Sequence, residues 1–223
     1  MINTWNESLL HEELKDYYCG DNGRKEVLLE GSICDAITED GSIIEIQTAN
    51  LGKLKVKLKK LLENHQVTLV YPLAVNTYIE TFASDRSLIS RRKSPKHGTI
   101  FSLFRELTGI HHLLCCENLT LTVVFADILE IRVSDGTGSW RRKGVRKDDR
   151  KLIKIHETRD FCTIADYGKL IPPSVPDSFT VADLKKAGAG NNAGHMAWVL
   201  RKTGNIDLTG KKGNAYLYRR SAT

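Results

Sequence analysis

The chain has 223 residues, 41% apolar and 27% charged, with a formal net charge of +6. These values are ordinary for a globular protein and argue against a disordered or fibrous chain. No apolar run approaches the roughly 20 residues a membrane span needs, and MINTWNESLLHEELKDYY is polar too early for a secretory signal, so the expectation is a cytoplasmic protein with no membrane partner.

Taken in chain order, residues 7–18 place Leu10, Leu14, Tyr17 and Tyr18 at helical spacing, with Glu7 and His11 on the same inward row. The sequence GDNG (20–23) breaks the chain. Three short β-branched runs follow, at 26–30, 32–38 and 42–48. Residues 52–65 form a second helix, with Leu54, Leu58, Leu61 and Leu62 as its stripe and lysines around the rest. The run 66–71 (QVTLVY) is apolar throughout, as in a buried central strand, and stops at Pro72. Residues 78–82 read as one more strand.

The basic, proline-containing stretch 90–98 (SRRKSPKHG) reads as a linker. Residues 99–172 hold a helical stretch (IFSLFRELTGIHHLL), a long apolar run (LTLTVVFADILEIRVS), the loop DGTGSWRRKG and a strand-like KLIKIHE. A second linker, 172–178, carries three of the five prolines. The five cysteines are odd in number and form no CxxC pair, so buried small hydrophobes are expected rather than a disulfide framework or a zinc site.

The charge excess lies in the tail. From Phe179 onward there are eight basic residues, Lys185, Lys186, Arg201, Lys202, Lys211, Lys212, Arg219 and Arg220, against Asp183 and Asp207 alone, which accounts for the whole net charge. Thr180 caps a short helix (182–187) that GAG (188–190) ends. A second helix spans 193–203, and strands at 206–208 and 215–218 flank a basic tip, TGKKGN. Helix, turn, helix and basic hairpin form the winged helix-turn-helix pattern. Its lysines and arginines are the expected nucleic-acid-binding residues, because phosphate contacts give affinity without sequence preference.

The segment ICDAITEDGSIIEIQ carries the chemistry. Glu45 and Gln47 share a strand face. With a three-residue turn, Glu39-Asp40-Gly41, Asp35 falls opposite Glu45, within about 5 Å; with a two-residue turn it points away. In the first register the two carboxylates repel unless a divalent cation lies between them. Mg²⁺ takes one or two carboxylates plus waters and substrate phosphate, and a bound metal acidifies its water and stabilises an attacked phosphodiester.

A helix with Glu7, a strand with Asp35, Glu45-Ile46-Gln47 on the next strand, then a helix and a strand resembles the PD-(D/E)XK nuclease superfamily. The resemblance covers about residues 5–82. It implies an α/β (α+β) fold with a mixed-sheet, restriction-endonuclease-like core of αβββαβ order. It also implies catalytic roles for Asp35, Glu45, Gln47, Glu7 and His11, with Mg²⁺ or Mn²⁺ held by Asp35 and Glu45. Two departures stand out: Cys34 replaces the proline before Asp35, and Gln47 replaces the lysine. Lys57, at the edge of the second helix's stripe, is the candidate for a migrated lysine. The wider pattern, from Glu7 and His11 through Lys57 and His65 to GSWRRKG and GKKGNAYLYRR, also resembles an uncharacterised prokaryotic family.

The expected organisation is a nuclease-like core (1–89), a middle α+β module of unknown role (99–172) and a winged helix-turn-helix (177–223). The expected function is metal-dependent endonucleolytic hydrolysis of DNA, with a homodimer as an option for assembly. The alternative is a catalytically inactive, DNA-binding regulatory protein, which Gln47 favours.

Overall fold

The computed structural model describes residues 7–221; the first six residues of the expected core and the last two of the tail lie outside them. The order opens with α1 (Leu9–Cys19), β1 (Arg24–Leu29), β2 (Ser32–Ile37), β3 (Ile43–Ile46), α2 (Lys55–Leu61) and β4 (Val67–Ala83). Ser8 caps α1, its hydroxyl accepting the His11 amide at 3.3 Å. Glu7 therefore precedes the helix rather than lying in its first turn.

β4 does not stop at Pro72. It runs for 17 residues and takes in the strand expected at 78–82. Its pairing with β3 ends at Val70. Residues two apart point their backbone groups to the same side, so the missing N–H of Pro72 falls where β4 no longer has a neighbour on the β3 side. The second half of β4 is instead paired by β5 (Leu88–Lys93), antiparallel. Residues 90–93, expected in a linker, thus belong to a strand.

β6 (Leu119–Ser134) runs parallel to β4 along its whole length, and β7 (Val145–Phe161) runs antiparallel to β6. The result is one seven-stranded mixed sheet, β1-β2-β3-β4-β6-β7, with β5 on β4. The stretch 99–172 is therefore not a separate module, because its two long strands complete the sheet that the first 89 residues begin. Composition could not show this, since the partner of a parallel strand is set by tertiary packing.

Two buried clusters line the two faces. Ile43, Val67, Leu69 and Leu121 pack with Leu58 and Leu61 of α2 and with Leu103 and Phe104 of α3 (Leu103–Leu107). Ile44, Ile46, Val70 and Val124 pack with Leu10 and Leu14 of α1. The alternation of faces along β3 and β4 is the two-residue period of a strand.

The C-terminal segment adds α4 (Ile164–Gly168), β8 (Ser178–Phe179), α5 (Val181–Leu184), α6 (Ala193–Lys202), β9 (Ile206–Lys212) and β10 (Ala215–Arg220). Thr180 and Asp183 form the expected capping box. A wide helical turn with Gly188 at φ 111° and Gly190 at φ 54° joins α5 to α6, a backbone that glycine tolerates best. The β9–β10 hairpin turns at Gly213-Asn214, tighter than the expected tip, so Lys211 and Lys212 lie in the strand. β8, β10 and β9 make a small sheet. Phe179, Leu184, Met196, Leu200 and Ile206 join the α2-side cluster, so the tail shares its core with the rest of the chain. All five cysteines are free, Cys34 within that core. Among the described residues no helix is long and apolar enough to cross a membrane.

Candidate active site

The β2–β3 turn decides the register. The Thr38 amide donates to the Ser42 carbonyl at 3.0 Å, and Gly41 takes φ 86°, the left-handed position of a three-residue loop. Ala36 pairs with Ile44 and Ile37 with Ile43, so continuing the ladder puts Asp35 across from Glu45.

The two side chains then part. Glu45 lies between Ile44 and Ile46 of the α1-side cluster, so it faces α2. There Lys57 Nζ donates to Glu45 Oε2 at 2.6 Å and to the Ile33 carbonyl at 2.5 Å. Asp35 turns toward α1: His11 Nε2 lies 3.3 Å from Asp35 Oδ2, which also accepts the Ile46 amide at 2.7 Å. The face shared by Asp35 and Glu45, expected from strict alternation, is not what forms. Cys34 and Ile37, three residues apart, both join the α2-side cluster, so the alternation breaks between them. In β1, Lys25 pairs with Ala36 and Val27 with Cys34, while Glu26 between them sits at φ 53°. A non-glycine residue in that region is strained, and strain of this kind collects at functional sites. Pairing lapses at Asp35 on both sides, and the Asp35 carboxylate accepts the amide that the ladder leaves over.

Glu7, His11 and Asp35 form a cluster whose donor atoms lie within 4.8 Å of one another. His11 Nδ1 lies against Glu7 Oε1. Lys15, buried on α1, donates to both Glu7 oxygens at 2.9 Å and to Glu26 Oε1 at 3.3 Å. Sequence reading missed Lys15 and Glu26. Lys15 was within reach, since it stands one turn beyond His11 on the same helical row; Glu26 carried no local signal.

The charges follow from these contacts. Burial resists a charge on Asp35, but the hydrogen bond and charge of His11, then the Ile46 amide and Lys57, outweigh it and lower its pKa. Burial likewise opposes a charged His11, yet Asp35 and Glu7 raise its pKa. Glu45 goes the other way: burial, then the charge of Asp35, push it up to about 7, against the pull of Lys57. The Cys34 thiol is pushed up to about 11 by burial and by Glu45. Glu45 Oε1 is buried and, among the described residues, has no hydrogen-bond partner beyond the weak donor Cys34 Sγ nearby.

The remaining expected residues sort clearly. Gln47 turns its carboxamide nitrogen onto the Ala49 carbonyl and, at 3.4 Å, the Asn50 carbonyl. That donor braces the loop into α2 rather than the carboxylates, which revises its expected role. Lys57, the candidate for a migrated lysine, reaches Glu45 from α2. Of the tail cations, Lys185, Lys186, Arg201, Lys202, Lys211, Lys212 and Arg219 are exposed. Arg220 is not free for a ligand: its guanidinium donates to the Val175 and Pro172 carbonyls, both at 3.2 Å. Two bonds tie β7 to the rest of the site: Arg150 donates to Thr48 Oγ1, just past β3, at 2.7 Å, and the Leu9 amide of α1 donates to Asp149 Oδ1 at 3.0 Å.

Fold and site together define an α/β protein with an acid–histidine–lysine constellation where a mixed sheet opens between two helices. The chain belongs to the family described as a domain of unknown function, DUF8091, which matches residues 8–162. That match ends one residue beyond β7, so it spans the whole seven-stranded sheet. An uncharacterized protein of Treponema pallidum (strain Nichols) is 39% identical over 219 residues, 98% of this chain and 87% of that protein, so the likeness extends through the tail. No solved structure matches.

Proposed function

We propose that this protein is a metal-dependent endonuclease that hydrolyses DNA phosphodiester bonds, a variant of the PD-(D/E)XK type with glutamine in place of the motif lysine. The observation that carries this reading is the buried Glu45 carboxylate, whose Oε1 has among the described residues no hydrogen-bond partner better than the neighbouring Cys34 thiol and which lies near a second carboxylate, Asp35. A buried carboxylate with one oxygen left over after its ion pair with Lys57 is costly to ionise, and a hard cation relieves that. The donor set fits such an ion. Asp35, with Glu7 and His11 offering donor atoms within 4.8 Å, would hold Mg²⁺ or Mn²⁺, the imidazole suiting Mn²⁺ better than Mg²⁺, and Glu45 would complete the set only by reaching across the lapse in pairing at Asp35. A cation there supplies a more acidic water and charge neutralisation at the phosphate. Lys57, held on Glu45, brings the positive charge that Gln47 lacks. His11, raised in pKa and tied to Asp35, is placed to hold or pass a proton. Water would attack phosphorus as the bond to the leaving oxygen breaks. The helix-turn-helix and hairpin of the tail would hold the DNA, as a winged helix does, in a cytoplasmic protein.

Incubation with Mg²⁺ or Mn²⁺ on single-stranded, duplex and branched DNA, and on RNA, tests this. Cleavage should appear and should fall at least 100-fold in Asp35→Ala, the scale expected when a catalytic group is lost. A second reading, an inactive DNA-binding protein, is favoured by Gln47 being turned into the loop and by Lys15 already neutralising Glu7. Binding without cleavage on every substrate would select it.

A further inference from the structure

We propose that the far half of the sheet is a second nucleic-acid-binding surface, a phosphate-holding lane that starts at the N-terminus of α1; this rests on the nucleic-acid reading above. Past Ile128, the last β6 residue of the α1-side cluster, the sheet continues to Ala83 and Ser134. There a depression of about 390 Å³ is lined by Arg92, Lys96, Arg132, Arg142 and Lys147 against one acid, Glu130. Arg132 and Lys147 are held by Glu130, whereas Arg92, Lys96 and Arg142 make no ion pair among the described residues. Five cations to one anion in a single concavity is a site for a polyanion.

The lane lies on the α1 face. Ile128 belongs to the α1-side cluster, so Glu130 and Arg132, two and four residues on, point the same way. Ile79 opposite Glu130 pairs in turn with Arg92 of β5, and Arg132 pairs with Lys147 of β7. Lys147 stands two residues from Asp149, which accepts the Leu9 amide at the start of α1. That is about 7 Å of strand between the lane and the helix whose first turns carry His11 and follow Glu7.

Trp140 points to a polynucleotide rather than a small phosphate. It is 83% exposed at the tip of the β6–β7 hairpin, with Arg141 5.6 Å from its ring and Arg142 lining the depression. A bare tryptophan among arginines is a stacking platform beside a backbone track, the arrangement that holds single strands without sequence preference. The sequence hid this surface because everything before the tail sums to neutral, whereas the sheet brings five cations and one acid, Glu130, into a single depression.

The test is fluorescence anisotropy with a labelled 30-nucleotide single strand and the matching duplex, in EDTA over a salt series, using the whole chain. Arg92→Glu/Arg142→Glu changes two exposed residues; thermal melts confirm that it folds. It should weaken binding at least tenfold and flatten the salt dependence by about two units or more. Trp140→Ala should weaken single-strand binding roughly fivefold and duplex binding less. Affinity and salt slope within twofold of the parent in the double charge reversal, with all loss appearing in Lys211→Ala/Lys212→Ala, would overturn the lane. Absence of binding by the parent chain would do the same, as would saturable binding of inorganic phosphate or a nucleotide but of neither polynucleotide. No cleavage is measured, so a chain that binds through the lane and cuts nothing leaves this proposal standing while removing the hydrolase.

Discussion

Glu45 and Glu130 belong to the same sheet, are 1% and 6% exposed, and titrate in opposite directions. At Glu130, burial opposes ionisation, but Lys147 takes Oε2 and Arg132 takes Oε1 at 2.7 Å, so the pKa is lowered. At Glu45 one oxygen has Lys57 and the other, among the described residues, has no cation and only the weak Cys34 thiol beside it, with Asp35 nearby, and burial carries the pKa up to about 7. Little exposed surface therefore does not mean equal charge: Glu45 is the more deeply desolvated and has the Asp35 charge nearby, whereas Glu130 has a cation on each oxygen. Glu130 is a finished ion pair that braces an uncovered sheet, and Glu45 is an incomplete one.

Substitution by glutamine separates the two most sharply. The Glu45 pKa is raised, so its charging penalty is absent below about 4.5 and complete above about 7. The metal-free protein should lose on the order of 3 kcal/mol as the pH rises through that interval. Glu45→Gln should remove that slope and leave the protein about 1–3 kcal/mol more stable at pH 8. Glu130 is lowered, so its contribution is present above its unfolded pKa and fades as pH falls through the folded one. Glu130→Gln should cost about 1–3 kcal/mol at pH 7, and less in acid. Urea melts from pH 4 to 8 read both, and a shift of the same sign in the two variants would end the comparison.

Metal response comes next in size. At Mn²⁺ a hundredfold above its Kd, the parent and Glu130→Gln should each gain about 2.7 kcal/mol, while Glu45→Gln should gain little. An equal gain in all three would place the ion elsewhere. The smallest contrast repeats the same lesson between neighbours. Arg220→Ala should cost about 1–2 kcal/mol for two carbonyls left without their charged donor. Arg219→Ala, on an exposed side chain, should stay within about 0.5 kcal/mol.

Much of the local architecture was legible. The Leu10/Leu14 row, the Thr180–Asp183 box and α6 obey short-range rules, and each formed where periodicity or capping put it. Lys57, flagged at the edge of its stripe, reached Glu45 across 12 residues of chain because α2 packs on the face that Glu45 occupies. The errors came from long-range pairing. Pro72 and SRRKSPKHG look like breaks until β6 and β5 are seen alongside β4, and the basic lane exists only once β4, β5, β6 and β7 lie side by side.

In the sequence by itself, helix periodicity and capping were readable within a few residues, and turn chemistry narrowed the β2–β3 loop to two registers, of which the three-residue turn with Gly41 left-handed is the one that forms. Only the tertiary structure decided that Asp35 leans to α1 and Glu45 to α2, that Lys15 is buried against Glu7 and Glu26, and that one sheet runs from residue 24 to 161. Those outcomes depend on which distant partner satisfies each buried polar atom, and no window of the chain contains both partners.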